Sequence, residues 1–208
     1  MTAAMFDSGD MQKLVALGTI RAFSKNTMLL QEGDQSDQLY VVMSGRLKVF
    51  LADADGKEVT IDSIGRQQLF GEMTLDGEPR SASVITTEAS NLCVVQHEQF
   101  KRFLEDNPHA ALALIVALVR RARNLTRTVG NLALLDVYGR VAHLLIESAT
   151  VENGQLVVVE KISQVDIAKK VGSSREMVSR ILGDLKEGGY ISMDNNRIVI
   201  RQALPKRW

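Results

Sequence analysis

Two helix-start signatures follow one another late in the chain, Ser163-Gln-Val-Asp166 and Ser173-Ser-Arg-Glu176, with Gly172 between them. A serine that accepts from the N–H three residues on, with an acid placed to reach back, satisfies donors that a helix's first turn leaves unpaired. Gly172 suits the stop between the helices, because glycine adopts the left-handed conformation without steric cost. The chain is thereby committed to two short helices meeting at a corner. Ile167, Ala168, Val171, Val178, Ile181, Leu182 and Leu185 give both helices one shared apolar face. With Gly188-Gly189 as the second stop, this is the pattern of a DNA-binding helix-turn-helix.

The outward face carries the matching chemistry. Arg175, Glu176, Ser179 and Arg180 fall on one helical stripe, with Ser174 at its start. Arginine forks onto guanine O6 and N7, and glutamate accepts from cytosine N4. Lys169 and Lys170 stand where the first helix would cross the phosphate backbone. Two strand-like runs, Tyr190 to Met193 and Arg197 to Ile200, flank Asp194-Asn-Asn and form a hairpin wing. A generic two-helix corner with a solvated charged face would leave these coincidences unexplained.

Charge agrees only weakly. The net charge is zero, but Met1 to Val137 holds 14 basic against 17 acidic residues and Tyr138 to Trp208 holds 11 against 8. Composition is that of a globular protein, with 45% hydrophobic and 24% charged residues. No apolar run approaches the roughly 20 residues of a membrane span. No basic stretch leads into an apolar core at the N-terminus, so the expected location is the cytoplasm. The single cysteine, Cys93, lies in an apolar run and reads as a small core residue. An iron–sulfur cluster needs about four cysteines, and His97, His109 and His143 are scattered without ligand-type partners, so no metal site is expected. No nucleophile–base set or Walker loop suggests an enzyme.

Ahead of the corner, a short helix (Asp10 to Leu17) precedes β structure from Arg21 to Gln96. Runs such as Leu39-Tyr-Val-Val-Met and Leu47-Lys-Val-Phe-Leu alternate there with turns at Glu32-Gly-Asp, Ser44-Gly, Asp53-Ala-Asp-Gly and Ile64-Gly. Many short strands with glycine corners predict a small barrel or roll. From His97 the period becomes helical, with Gln99 to Asp106 one helix and Asn107-Pro108 opening another, where Pro108 suits the first turn. Along that second helix Ala111, Ile115, Leu118, Ala122, Leu125, Val129 and Leu132 recur in the alternating four-and-three spacing of a heptad seam. A helix lying on its own domain is the plainer reading. The arginine-rich flank (Arg120, Arg121, Arg123, Arg127) beside a narrow seam favours a homodimer interface, centred on Ile115, Leu118, Ala122, Leu125, Val129 and Leu132. A hinge is expected at Asp136 to Gly139, then a helix to about Ala149, a turn at Glu152-Asn-Gly and a strand at Leu156 to Val159.

The segment Phe70-Gly-Glu-Met-Thr-Leu-Asp-Gly-Glu-Pro-Arg-Ser-Ala-Ser83 holds the most chemistry of the front half. A glycine lets backbone approach a ligand, a glutamate can hold a ribose hydroxyl, and an arginine with adjacent hydroxyls can bind phosphate. By pattern alone, a surface pair between Arg80 and Glu78 is an alternative.

The run Val171-Gly-Ser-Ser-Arg-Glu-Met-Val-Ser-Arg-Ile-Leu182 resembles the recognition helix of the cyclic-AMP receptor protein (Crp/Fnr) family. The Gly71 to Ser83 segment resembles that family's phosphate-binding cassette, and Glu32-Gly-Asp, Leu39-Tyr-Val-Val-Met, Ser44-Gly-Arg-Leu-Lys and Val129-Gly-Asn-Leu-Ala-Leu-Leu-Asp-Val-Tyr-Gly-Arg140 extend the likeness along nearly the whole chain. The resemblance implies an α+β protein: an N-terminal cyclic-nucleotide-binding β-roll (1–107), a long dimerisation helix with hinge (108–137) and a C-terminal winged helix-turn-helix (138–208). It implies that Arg175, Glu176 and Arg180 read bases of a TGTGA-type half-site in palindromic double-stranded DNA, with RNA polymerase as a further partner. It also implies that, in the cassette opened by Gly71, Glu72 takes the ribose 2′-hydroxyl of a cyclic nucleotide, Arg80 with Ser81 its phosphate, and Thr126 its base. Such a ligand is allosteric, so no cofactor is expected.

Two departures bear on which nucleotide. The loop between Glu72 and Arg80 is about two residues shorter than in the cyclic-AMP receptor itself. The family's Thr-Ser pair that reaches the adenine is here Leu125-Thr126, and an apolar side chain cannot bond a purine edge. Cyclic AMP is the first expectation and cyclic di-GMP the second, with Arg120, Arg123 or Arg127 as contacts for a second phosphate. A ligand-independent dimeric regulator is the alternative.

Overall fold

The computed structural model describes residues 5–56, 58–152, 154–158, 162–194 and 197–205. The chain divides into two units, Met1–Arg123 and Asn124–Trp208.

In the first unit, α1 (Ser8–Ala16) is followed by eight strands: β1 (Thr19–Phe23), β2 (Met28–Leu30), β3 (Gln38–Ser44), β4 (Leu47–Ala52), β5 (Glu58–Ile64), β6 (Leu69–Phe70), β7 (Ser83–Thr86) and β8 (Ser90–Gln96). They form two antiparallel sheets, ordered β1-β8-β3-β6 and β2-β7-β4-β5. The continuous apolar run in β3 has a plain cause, since that strand is covered on both faces. Leu39 and Val41, with Cys93 and Val95 of β8, point into a cluster containing Leu14, Phe100, Phe103 and Leu114. Tyr40 and Val42, with Leu92 and Val94, point the other way into a cluster with Leu30, Leu47, Phe70 and Val84. One sheet thus lies between its partner sheet and a helical layer. The expected roll is present.

Gly45 makes the β3–β4 corner possible. Its φ is +100°, and a Cβ there would lie 2.1 Å from Ser90 Oγ and 2.6 Å from Ser90 Cα. The helical layer holds α1, α2 (His97–Asp106) and the start of α3 (Pro108–Leu134), of which Ala110 and Leu114 are buried. Most of the larger apolar side chains of α3 stand open: Leu112, Ile115, Val116, Leu118, Val119, Leu125, Val129, Leu132 and Leu134 are all exposed.

In the second unit, α4 (Val137–Glu147), β9 (Ala149–Glu152), β10 (Gln155–Val158), α5 (Gln164–Val171), α6 (Arg175–Glu187), β11 (Ile191–Asp194) and β12 (Arg197–Ile200) share one core. It gathers Val141, Leu145, Ile167, Val171, Val178, Ile181 and Leu185 from the helices, with Val158, Ile191, Ile198 and Ile200 from the sheet. The sheet runs β11-β12-β10-β9, all antiparallel. Arg197 grips Glu152 through two bonds of 3.1 and 3.0 Å and ties β12 to β9. The wing hairpin is β11 with β12; its turn residues Asn195 and Asn196, and Val159 of the expected strand, lie outside the described residues.

Three expectations are adjusted. Gly139 is not an opening in the chain: the break falls at Leu135-Asp136, and Asp136 caps α4 by accepting from Gly139 N at 2.7 Å. Strand β9 occupies the residues after α4, where no strand was expected. Finally, the cap of α6 is Ser174 rather than Ser173, accepting from Met177 N at 3.2 Å, so Glu176 sits one position early for a reciprocal capping box.

Candidate functional site

In the first unit, the site is built where β6 runs into a short 3-10 turn, Glu72–Asp76. Gly71 joins them at φ +84°, and a Cβ there would meet Gln38 O at 3.1 Å, Leu39 Cα at 3.2 Å and Arg80 Nη1 at 3.3 Å. Only glycine permits this approach. Through that gap Arg80 is buried, with 6% of its surface exposed. Its Nη1 donates to Gly71 O at 2.8 Å, and its Nη2 to Ser36 O at 2.9 Å and to Gln38 O. Its Nε is buried and has no partner among the described residues. Burial lowers the Arg80 pKa, and Tyr40, Glu72 and Asp37 oppose that shift. The loop holding it is fixed by main chain, Arg80 N to Asp34 O at 2.9 Å and Gly33 N to Arg80 O at 2.8 Å. The surface pair with Glu78 does not form here; Arg80 turns inward.

Glu72 is 3% exposed, and its carboxylate is paired with Arg121 of α3, whose Nη2 also donates to Leu69 O at 3.1 Å. Arg121 is a residue that sequence reasoning did not assign to this site. It is one of four arginines on the helix flank, and only the placement of α3 against β6 distinguishes it. Ser81 is exposed and donates to Met73 Sδ at 3.2 Å. Ser83, buried, accepts from Glu32 N at 3.0 Å. Gly71, Glu72 and Arg80 therefore come together, Ser81 stands at the rim, and Thr126 is exposed on the part of α3 in the second unit.

Chemically, this is a buried cation and a buried carboxylate beside a glycine loop. A phosphate can claim a guanidinium that among the described residues bonds neutral carbonyls, and a ribose hydroxyl can donate to the carboxylate. Among the described residues no group of His, Cys, Asp and Glu could hold a metal ion.

The second candidate face lies on α6. Ser163 opens α5 with a reciprocal capping box, accepting from Asp166 N at 3.1 Å while its own N–H reaches Asp166 at 3.3 Å. Gly172 ends α5 at φ +63°, and α6 follows after the turn. Arg175, Glu176, Ser179 and Arg180 are exposed and line one open depression. Glu176's own backbone N–H and the Ser174 hydroxyl hold its carboxyl below the usual range, with Arg175 assisting. Arg180 leans on Met177, Nη2 to Sδ 2.9 Å. Lys169 and Lys170 lie in the last turn of α5, half-buried.

Comparison with known proteins finds a match for each part of the chain. Residues 20–107 match the cyclic nucleotide-binding domain, and residues 139–204 match the Crp-like helix-turn-helix domain. The CRP-like cAMP-activated global transcriptional regulator of Mycobacterium tuberculosis is 31% identical over 87% of this chain and 83% of its own length. The cAMP-activated global transcriptional regulator CRP of Pasteurella multocida is 32% identical, over 87% and 89%. Among solved structures, the c-di-GMP responsive global regulator CLP of Xanthomonas campestris aligns with a TM-score of 0.78 and 27% identity, over 94% of this chain and 100% of that one. These relatives are regulators of transcription rather than enzymes. The chain belongs to the Crp/Fnr family of transcriptional regulators and joins a cyclic nucleotide-binding domain to a DNA-binding helix-turn-helix.

Proposed function

We propose that this regulator is a homodimer whose affinity for palindromic DNA is set by cyclic AMP. The observation that carries this reading is Arg80, a guanidinium almost wholly buried behind Gly71 whose Nε has no partner among the described residues, beside the buried carboxylate of Glu72. One buried cation and one buried acceptor suit one phosphate and one ribose hydroxyl. Gly71, Glu72, Arg80 and Ser81 hold the sugar phosphate, and Thr126 meets the base. The exposed apolar residues of α3 at Ile115, Leu118, Leu125, Val129 and Leu132, with Ala122, form the seam between two copies. On each copy Arg175, Glu176 and Arg180 read base edges, with Ser174, Ser179 and Lys169 at the backbone. Two half-sites one helical turn apart follow from the two-fold. Such a regulator works with RNA polymerase in the cytoplasm; among the described residues no helix is long and apolar enough to cross a membrane.

Cyclic di-GMP is the second reading. It is favoured by the likeness to the c-di-GMP responsive regulator CLP and by Leu125 in place of a hydroxyl. A second phosphate would fall to the exposed Arg120 or Arg123, or to Arg127, which donates to Asn124 at 2.5 Å.

Isothermal titration with cyclic AMP, cyclic GMP and cyclic di-GMP, paired with anisotropy on a TGTGA palindrome, tests both. Cyclic AMP should bind and change DNA affinity, since allostery requires different ligand affinities in two states. Preference for cyclic di-GMP would select the second reading. If none of the three changes DNA affinity, the chain is a ligand-independent regulator.

A further inference from the structure

One side chain in the second unit serves the ends of two helices at once. Arg140, in the first turns of α4, donates from Nε to Val171 O at 2.8 Å and from Nη1 to Leu135 O at 2.9 Å. Val171 is the last residue of α5, and Leu135 directly follows the end of α3. Final carbonyls of a helix lack intrahelical partners and carry the negative end of its dipole, so a cation there is doubly favoured. A planar guanidinium also holds its two acceptors at a fixed angle, which a lysine ammonium cannot do.

The position of Val171 matters more than the bond count. Next comes Gly172 at φ +63°, whose N–H and that of Ser173 both reach back to Ala168 O, and then Ser174, the cap of α6. The grip on Val171 is therefore a grip on the turn that aims Arg175 and Glu176. Leu132, in the last turn of α3, lies near the same turn: a Cβ added at Gly172 would come 3.8 Å from its Cδ2. Between α3 and α4 the helical conformation is interrupted at Leu135-Asp136, a place where movement of α3 could be absorbed.

We propose that Arg140 is a positioning residue for DNA reading, clamping the turn before the recognition helix to the end of the long helix. With the clamp closed, a displacement of α3 carries α6 with it. Without it, the break at 135–136 takes up the displacement. This rests on the reading of ligand control given above and adds the route by which control reaches the DNA-reading side chains.

The test uses full-length protein carrying Arg140→Met or Arg140→Lys, cyclic AMP as probe and a TGTGA palindrome. Three quantities are read: nucleotide Kd, the ratio of DNA affinities with and without saturating nucleotide, and amide exchange at Gly172 to Ser174. Couplings of this kind span roughly 5- to 150-fold. Arg140→Met should leave nucleotide Kd within about two-fold while reducing the affinity ratio by about five-fold or more, with faster exchange at the turn. Arg140→Lys, able to keep one carbonyl, should fall between and serves if the methionine variant does not fold. A purely structural role would weaken DNA binding equally with and without nucleotide and preserve the ratio, and that result overturns the proposal. If the wild-type ratio is one, ligand control itself has failed; unchanged exchange at the turn would then still overturn the clamp.

Discussion

Replacing Arg121 with methionine removes the cation beside a carboxylate that is 3% exposed. Breaking a buried ion pair by deleting one partner costs about 3–5 kcal/mol, because the remaining charge is left in a poor solvent. The Arg121 side chain is itself 33% exposed, so water can reach part of the vacated space and the lower end applies. Its bond to Leu69 O contributes a further ~1 kcal/mol at most, giving about 3–4 kcal/mol in total. Glu72→Gln is milder, about 1–2 kcal/mol, since Arg121 keeps the carbonyl and solvent. If the two side chains stabilise each other as the geometry requires, the double variant should cost about 2 kcal/mol less than the sum of the singles. Urea unfolding without nucleotide, followed by circular dichroism, measures all four corners of the cycle. Protein concentration must be held constant, because self-association would add its own stabilisation. A coupling below about 0.5 kcal/mol would refute the claim that this pair fastens α3 to the roll.

Gly45→Ala should destabilise the first unit well beyond the ~1–2 kcal/mol of a left-handed alanine, because the new Cβ collides with Ser90, whereas Gly56→Ala, with φ +77° and open space, should cost only the conformational part; equal losses on urea unfolding would contradict this. Arg175→Ala should relax preference at one base pair by about 1–3 kcal/mol, while Lys169→Ala should lower the salt dependence of binding with little change in preference; equal weakening on specific and random duplexes after Arg175→Ala would oppose the assignment. Burial raises the Cys93 pKa, so its thiol stays protonated to higher pH than an ordinary cysteine. Iodoacetamide at pH 8 should label it slowly in native protein and rapidly in urea; labelling at the rate of a free peptide thiol would mean the site opens.

What could be read from the residues alone is what short-range chemistry decides. Ser163, Asp166 and Gly172 announce α5 because a cap and a left-handed stop each depend on a few neighbouring atoms. The family likeness carried Gly71, Glu72 and Arg80 as one cassette, and the structure does gather them, though with Arg80 spent on carbonyls. The misses have other causes. Ser173 and Ser174 are adjacent serines of equal capping ability, and only the entry angle of the chain selects between them. Strand β9 is four residues with no turn signal before it, and it exists because β10 offers an edge to pair with. Arg121 was hidden among like residues, since its role depends on which face of α3 meets β6. For Arg121 the deciding atoms lie far away in the chain, whereas for Ser174 and β9 they lie nearby but leave no residue-type signal.

The order of strands in the second sheet has a consequence for how the protein comes into being. Strand β10 pairs on one side with β12, Leu156 opposite Ile200 and Val157 opposite Val199, and β12 supplies Ile198 and Ile200 to the core under α5 and α6. All eight strands of the roll, by contrast, are complete once Gln96 has been made. Since domains fold as units from the N-terminus during synthesis, the half that senses can take shape on the ribosome while the half that reads still lacks its closing strand. A nascent chain therefore lacks the strand that completes the core beneath α5 and α6 until β12 has emerged.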